Sequence, residues 1–135
     1  MQKSRKYKTE LLTIIFASLT LMFLLEKPMK DYIPIFFAII GFGRFAFLTW
    51  KKYYEISDDL IINHKNLLTE NGIDFGQNAG INRVNFFDLI SERKKLSISE
   101  KEIENDLTEL NSLKNMTLIS FLCFGILGLI SVLMT

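Results

Sequence analysis

The chain of 135 residues contains one cysteine, one histidine, one tryptophan and two prolines, and each scarcity excludes something. A single thiol, Cys123, rules out an internal disulfide framework. Because it lies inside an apolar run, it reads as a small inert hydrophobe rather than a reactive group. His64 has no His or Cys companions at ligand spacing, so it reads as a turn residue and no metal site is expected. Charge of one sign is missing too: 16 basic residues stand against 15 acidic ones. The polar stretch 51–115 holds nine Lys/Arg and twelve Asp/Glu, a net of −3, which excludes a nucleic-acid footprint.

Chemistry-bearing constellations are equally scarce. Gly72, Gly76 and Gly80 are not followed by a lysine and a helix, so no phosphate-cradling loop is present. The serines are scattered and lack a nucleophile-elbow setting. Asp58-Asp59 reads as turn chemistry, since a lone carboxylate pair is too common to indicate acid–base catalysis. The expectation is a chain that is not an enzyme and uses no cofactor.

What the sequence does have is long apolar runs. Residues 33–50, IPIFFAIIGFGRFAFLTW, are almost all apolar and would form about 27 Å of helix, close to the ~30 Å of a bilayer's hydrocarbon. Residues 11–25 form a shorter run behind four positive charges at Lys3, Arg5, Lys6 and Lys8. That pattern also fits a secretory signal peptide. No small-x-small cleavage pattern follows, however, and Tyr7, Lys8 and Lys27 can lengthen the run by snorkelling, so it is expected to be an uncleaved span. The connection through Pro28 is short, and Pro34 falls in the first turn of the next helix, where its missing N–H costs little. Two apolar helices so joined must run antiparallel, as a hairpin occupying residues 1–52. Residues 116–134 form a third run of nineteen apolar residues.

Between the second and third runs the pattern changes. Short stretches rich in Ile, Leu, Phe and Tyr (54–57, 60–63, 67–70, 73–75 and 81–87) are separated by polar or glycine-containing breaks. Asn71-Gly72 between two of them is a strong hairpin signal. The spacing predicts a small β-rich unit over 53–98. From Ser99 the period becomes helical: Ser99 and Glu102 fit a capping box, with Glu100 and Glu104 also near the positive helix end. Ile103, Leu107, Leu110 and Leu113 share one stripe, which fits either a short coiled coil or packing against the β-rich unit. An amphipathic helix over 99–135 should run unbroken into the third span.

The fold class expected is therefore an α-helical integral membrane protein with three transmembrane helices, a small β-rich cytoplasmic unit and a long helix leading into the third span. The concentration of Lys and Arg before the first run and after the second places the N-terminus and residues 51–115 in the cytoplasm, with the C-terminus outside a cell membrane of the bacterial inner-membrane kind.

Arg44 is the one charge inside a span, and an intramembrane ionisable residue is a functional candidate. It lies six residues from Trp50, about 9 Å along a helix, so snorkelling to the interface or bonding to neighbouring carbonyls is the rival account. No acidic partner falls within another apolar run. Gly41 with Gly43, and Gly125 with Gly128, are candidate helix-packing positions, for which Ala17 and Ser18 offer a complementary surface.

One resemblance enters here. The hairpin, then Tyr53-Tyr54-Glu55-Ile56-Ser57-Asp58-Asp59-Leu60-Ile61-Ile62, then Glu70-Asn71-Gly72-Ile73 and Phe86-Phe87-Asp88-Leu89-Ile90, resembles bacterial membrane proteins in which a transmembrane hairpin precedes a pleckstrin-homology-like domain. About forty residues carry it. The chain departs from that pattern in having too few strands after Asp88 and a third span at the end. The resemblance implies an interaction or lipid-proximal module.

The functional expectation is a non-catalytic accessory, regulatory or lipid-proximal binding subunit, in contact with the lipid bilayer and with a membrane-protein partner or a second copy. The alternatives are a toxin-immunity membrane protein and an oligomeric channel or transporter component using Arg44.

Overall fold

The computed structural model describes residues 2–73, 75, 83–99 and 101–134. Its helices are α1 (Gln2–Leu24), α2 (Ile33–Phe37), α3 (Arg44–Asn63), α4 (Lys65–Glu70), α5 (Phe86–Ser91), α6 (Arg93–Ser99) and α7 (Lys101–Leu133). A 3₁₀ turn at Met29–Tyr32 precedes α2, and a π-helical stretch at Ala38–Gly43 joins α2 to α3. The chain divides into two compact units, one of Met1–Thr49 with Ser112–Thr135, the other of Trp50–Asn111.

Three helical stretches are long and apolar enough to cross a membrane: Gln2–Leu24, Met29–Asn63 and Ile103–Leu133. In their most apolar windows only 11%, 33% and 17% of residues are buried. Phe16, Phe23, Ile39, Phe47, Leu122 and Val132 all point outward. Such a surface in water would be a large uncompensated apolar patch, whereas it fits a lipid-bilayer environment.

In the first unit a core of Leu11, Met22, Ile33, Phe37, Phe45, Leu113, Met116 and Leu127 holds the helices together. Hydroxyl pairs mark one end: Ser4 with Ser112 at 2.8 Å and Thr49 with Thr117 at 2.9 Å. At the other end Lys30 donates to the Met134 carbonyl at 3.4 Å. These bonds make α1 parallel, and α2 with the start of α3 antiparallel, to the unit's part of α7. Polar side chains within the apolar runs satisfy themselves locally. Thr13 and Thr20 each donate to the carbonyl four residues back, and of the Thr49–Thr117 pair one hydroxyl donates to the other, which in turn donates to its own carbonyl four residues back.

The second unit corrects the expectation of a β-rich module: none of its described residues forms a strand. Residues 54–57 and 60–63 belong to α3, where Tyr53, Ile56 and Leu60 recur at helical spacing and face the core. Asp58 and Asp59 lie on the exposed side of the same helix, not in a turn. Asn71-Gly72 closes a helix instead of a hairpin. Gly72 has φ +66° and its N–H bonds to the Thr69 carbonyl, while the Ile73 N–H bonds to that of Leu68. This is the Schellman arrangement, and Leu68 and Ile73 supply the apolar contact that accompanies it. Asn85 opens α5, its side chain accepting from the Phe87 N–H at 2.9 Å.

The core of this unit gathers Tyr53, Ile56, Leu60, Leu68, Ile73, Val84, Leu89, Leu96, Ile103, Leu107 and Leu110. The α7 stripe is thus used within the chain: Ile103, Leu107 and Leu110 pack here, and Leu113 in the other unit's core. The glycines at 76 and 80, and the side chains of the Ser99 and Glu102 capping pair, lie outside the described residues. The stretches that carried the pleckstrin-homology-like resemblance, 53–62 and 86–90, are helical, so the strands that resemblance implies are not found among the described residues.

Candidate functional site

Arg44 is the first residue of α3 and follows the π-helical stretch directly. Gly41 lies within that stretch. A Cβ built there would lie 3.1 Å from the ring of Phe37, which is buried in the first unit's core, so a methyl would require the ring to yield by a few tenths of an ångström. Gly43 is less confined, its nearest neighbour being the Ala38 carbonyl at 3.4 Å.

The Arg44 guanidinium donates from Nη2 to Glu10 Oε1 at 2.7 Å. The expectation of no acidic partner in another apolar run overlooked Glu10, which stands one residue ahead of the first run and belongs to the same helix. The Arg44 side chain is 52% exposed and that of Glu10 29%. The pair stands at the boundary of the first apolar run, with Glu10 two positions after Lys8. Around Glu10, residues Gln2, Arg5, Lys6, Thr9 and Thr13 line an open depression of about 430 Å³ on one face of α1. Thr9 and Thr13 turn their hydroxyls back onto α1 carbonyls.

Gly125 and Gly128 are placed differently from Gly41. A Cβ on either would meet nothing within 4 Å, so no described helix of the chain packs closely against them. Cys123 is half-buried among apolar neighbours of the first unit. His64 stands between α3 and α4, where its carbonyl accepts from the Leu67 and Leu68 N–H groups. Among the described residues no group of three or more His, Cys, Asp or Glu side chains converges as metal ligands would.

Within the second unit the polar groups are committed to joining helices. Lys52 of α3 meets Asp106 at 2.6 Å and Glu109 at 3.4 Å, both on α7. The Tyr53 hydroxyl donates to the Val84 carbonyl, and the Val84 N–H donates to Ser57 Oγ at 2.8 Å. Two side chains one helical turn apart thereby satisfy both backbone groups of a fully buried residue. Arg83 lies 4.0 Å above the Tyr54 ring and pairs with Asp58 at 3.0 Å. Beside it the rings of Trp50, Tyr53, Tyr54, Phe86 and Phe87 form one connected cluster, with neighbouring centroids 5.4 to 6.4 Å apart.

Sequence reasoning missed Glu10, Ser57 and this cluster. Glu10 carried a readable signal, as the only acidic residue before the first apolar run. Ser57 carried none, because its partner lies 27 residues away. Comparison with protein-family models, with curated proteins and with solved structures finds no match for the chain.

Proposed function

We propose that this protein is a small integral membrane protein that works by binding, as a non-catalytic accessory or regulatory subunit close to the lipid surface. In this reading the N-terminus and residues 51–115 share the cytoplasmic side, in line with the basic residues flanking the first two runs.

The observation that carries the reading is how the chain uses its polar groups. Arg44 is tied to Glu10, Lys52 to Asp106 and Glu109, Arg83 to Asp58, and Tyr53 and Ser57 to the backbone of Val84. Each contact joins separate parts of the chain, which supports a scaffold that presents surfaces. The pairing of Arg44 within the chain also weighs against its serving as a mobile charge on a transport pathway.

The test is purification of the full chain, tagged at the N-terminus, in mild detergent, followed by mass spectrometry of what co-elutes. A membrane protein present in stoichiometric amount is expected. A monodisperse protein with no partner, recovered from cells at native expression, would overturn the accessory-subunit reading.

A further inference from the structure

The exposed apolar surface is not confined to the long apolar runs. Along α3, Trp50 and Tyr54 are four residues apart and are 55% and 42% exposed. They lie on one outward stripe of the helix. The Phe86 ring lies tilted against Trp50 and edge-on to Tyr53, with centroids 6.4 and 5.4 Å away, and Phe87 meets Phe86 at 5.9 Å. Phe87 is 79% exposed, yet it is not a loose end, since its N–H is held by the Asn85 cap at the start of α5.

We infer that Trp50, Tyr54 and Phe87 form an aromatic rim that seats in the headgroup–acyl boundary of the membrane, making the start of α5 a lipid-contacting element. This rests on the reading of the chain as a membrane protein and adds a surface to it. Trp50 ends the apolar run and so stands at the interface, where Trp and Tyr are enriched because one part of the ring is apolar and another polar. The ring contacts through Phe86 carry that level from α3 to α5. A phenylalanine left this bare in water loses the benefit of burying its ring. At the boundary its ring is covered by acyl chains while the backbone of α5 remains hydrated. Lys51, next to Trp50, places a cation beside the rim, which suits phospholipid phosphates, while Arg83, over Tyr54, is paired with Asp58. The occupant is the lipid interface itself.

The experiment uses the full chain in phospholipid vesicles whose acyl chains carry bromine close to the headgroup. Trp50 is the only tryptophan, so the unaltered protein reports on the end of the apolar run. Two variants move the indole, Trp50→Phe with Phe87→Trp and Trp50→Phe with Ile62→Trp. Both new positions are more than three-quarters exposed, so a larger ring fits without repacking. Ile62 lies twelve residues beyond Trp50 in α3, about 18 Å along the helix.

The Phe87→Trp indole is expected to be quenched by bromine severalfold more than the Ile62→Trp indole, and to be shielded from aqueous acrylamide. If it is untouched by bromine and open to acrylamide while Trp50 of the unaltered chain is quenched, the rim is overturned and the membrane reading stands. Shielding from both quenchers would assign Phe87 to a protein contact and overturn the rim as well. If Trp50 itself escapes bromine, the membrane reading falls and takes the rim with it.

Discussion

Replacing Ser57 by alanine should loosen the second unit by an amount that can be worked out from one hydrogen bond. Ser57 and Val84 are both fully buried, and the Val84 N–H donates to Ser57 Oγ at 2.8 Å. Alanine removes the acceptor and leaves a gap of a single oxygen atom, too small to admit a water in its place. The N–H then stays buried without a partner, at a cost of about 1–3 kcal/mol. Converted at about tenfold per 1.4 kcal/mol, this raises the open fraction of the unit roughly 5- to 150-fold. Tyr53→Phe is the comparison. It strips the Val84 carbonyl of its hydroxyl donor, and an under-satisfied carbonyl is better tolerated than an orphaned N–H, so its effect should be the smaller. The assay is amide hydrogen exchange of the full chain in lipid nanodiscs, read at Leu60 and Leu89 instead of at Val84, whose own amide is altered directly. Faster exchange at both positions is expected, in the order Ser57→Ala, Tyr53→Phe, unaltered chain. Exchange in Ser57→Ala within twofold of the unaltered chain, or a larger effect from Tyr53→Phe, would refute the account.

Three further outcomes follow from the first unit. Glu10→Gln should lower the stability of the chain in a denaturing-detergent titration by no more than about 1 kcal/mol, the range of a hydrated ion pair. A loss of ~2.5 kcal/mol or more would place Arg44 in hydrocarbon instead of at the membrane edge. Gly41→Ala should lower the thermal midpoint, because the new methyl meets the Phe37 ring at 3.1 Å and overpacking of this kind costs about 1–3 kcal/mol. Gly125→Ala and Gly128→Ala, which meet nothing within 4 Å, should leave the purified chain as stable or slightly more so. Reduced co-purification of a partner in either variant would locate a partner helix at that face.

The three long helices were legible because their signal is local. A run of some fifteen to twenty largely apolar residues with at most one charge has few alternatives to a helix in lipid, and the stripe through Ile103, Leu107, Leu110 and Leu113 repeats at the helical period. Arg44 stood out for the same reason, being a charge where none is expected. The second unit was misread because its signals are short. An apolar run of four residues does not distinguish period two from period 3.6, and three such runs turned out to be parts of α3 and α4. Asn-Gly is likewise ambiguous, since a tight hairpin and a Schellman helix stop both require a positive φ at the glycine.

By itself, then, the sequence determined which stretches are apolar helices long enough for a bilayer and which residues are charged where charge is costly. The tertiary structure alone decided that Gly72 ends a helix, that Glu10 meets Arg44 across 34 positions, and that Ser57 and Tyr53 serve the backbone of Val84. The last two choices depend on the register between elements distant in the chain. Register is set by the packing of many side chains at once, so no local spacing encodes it.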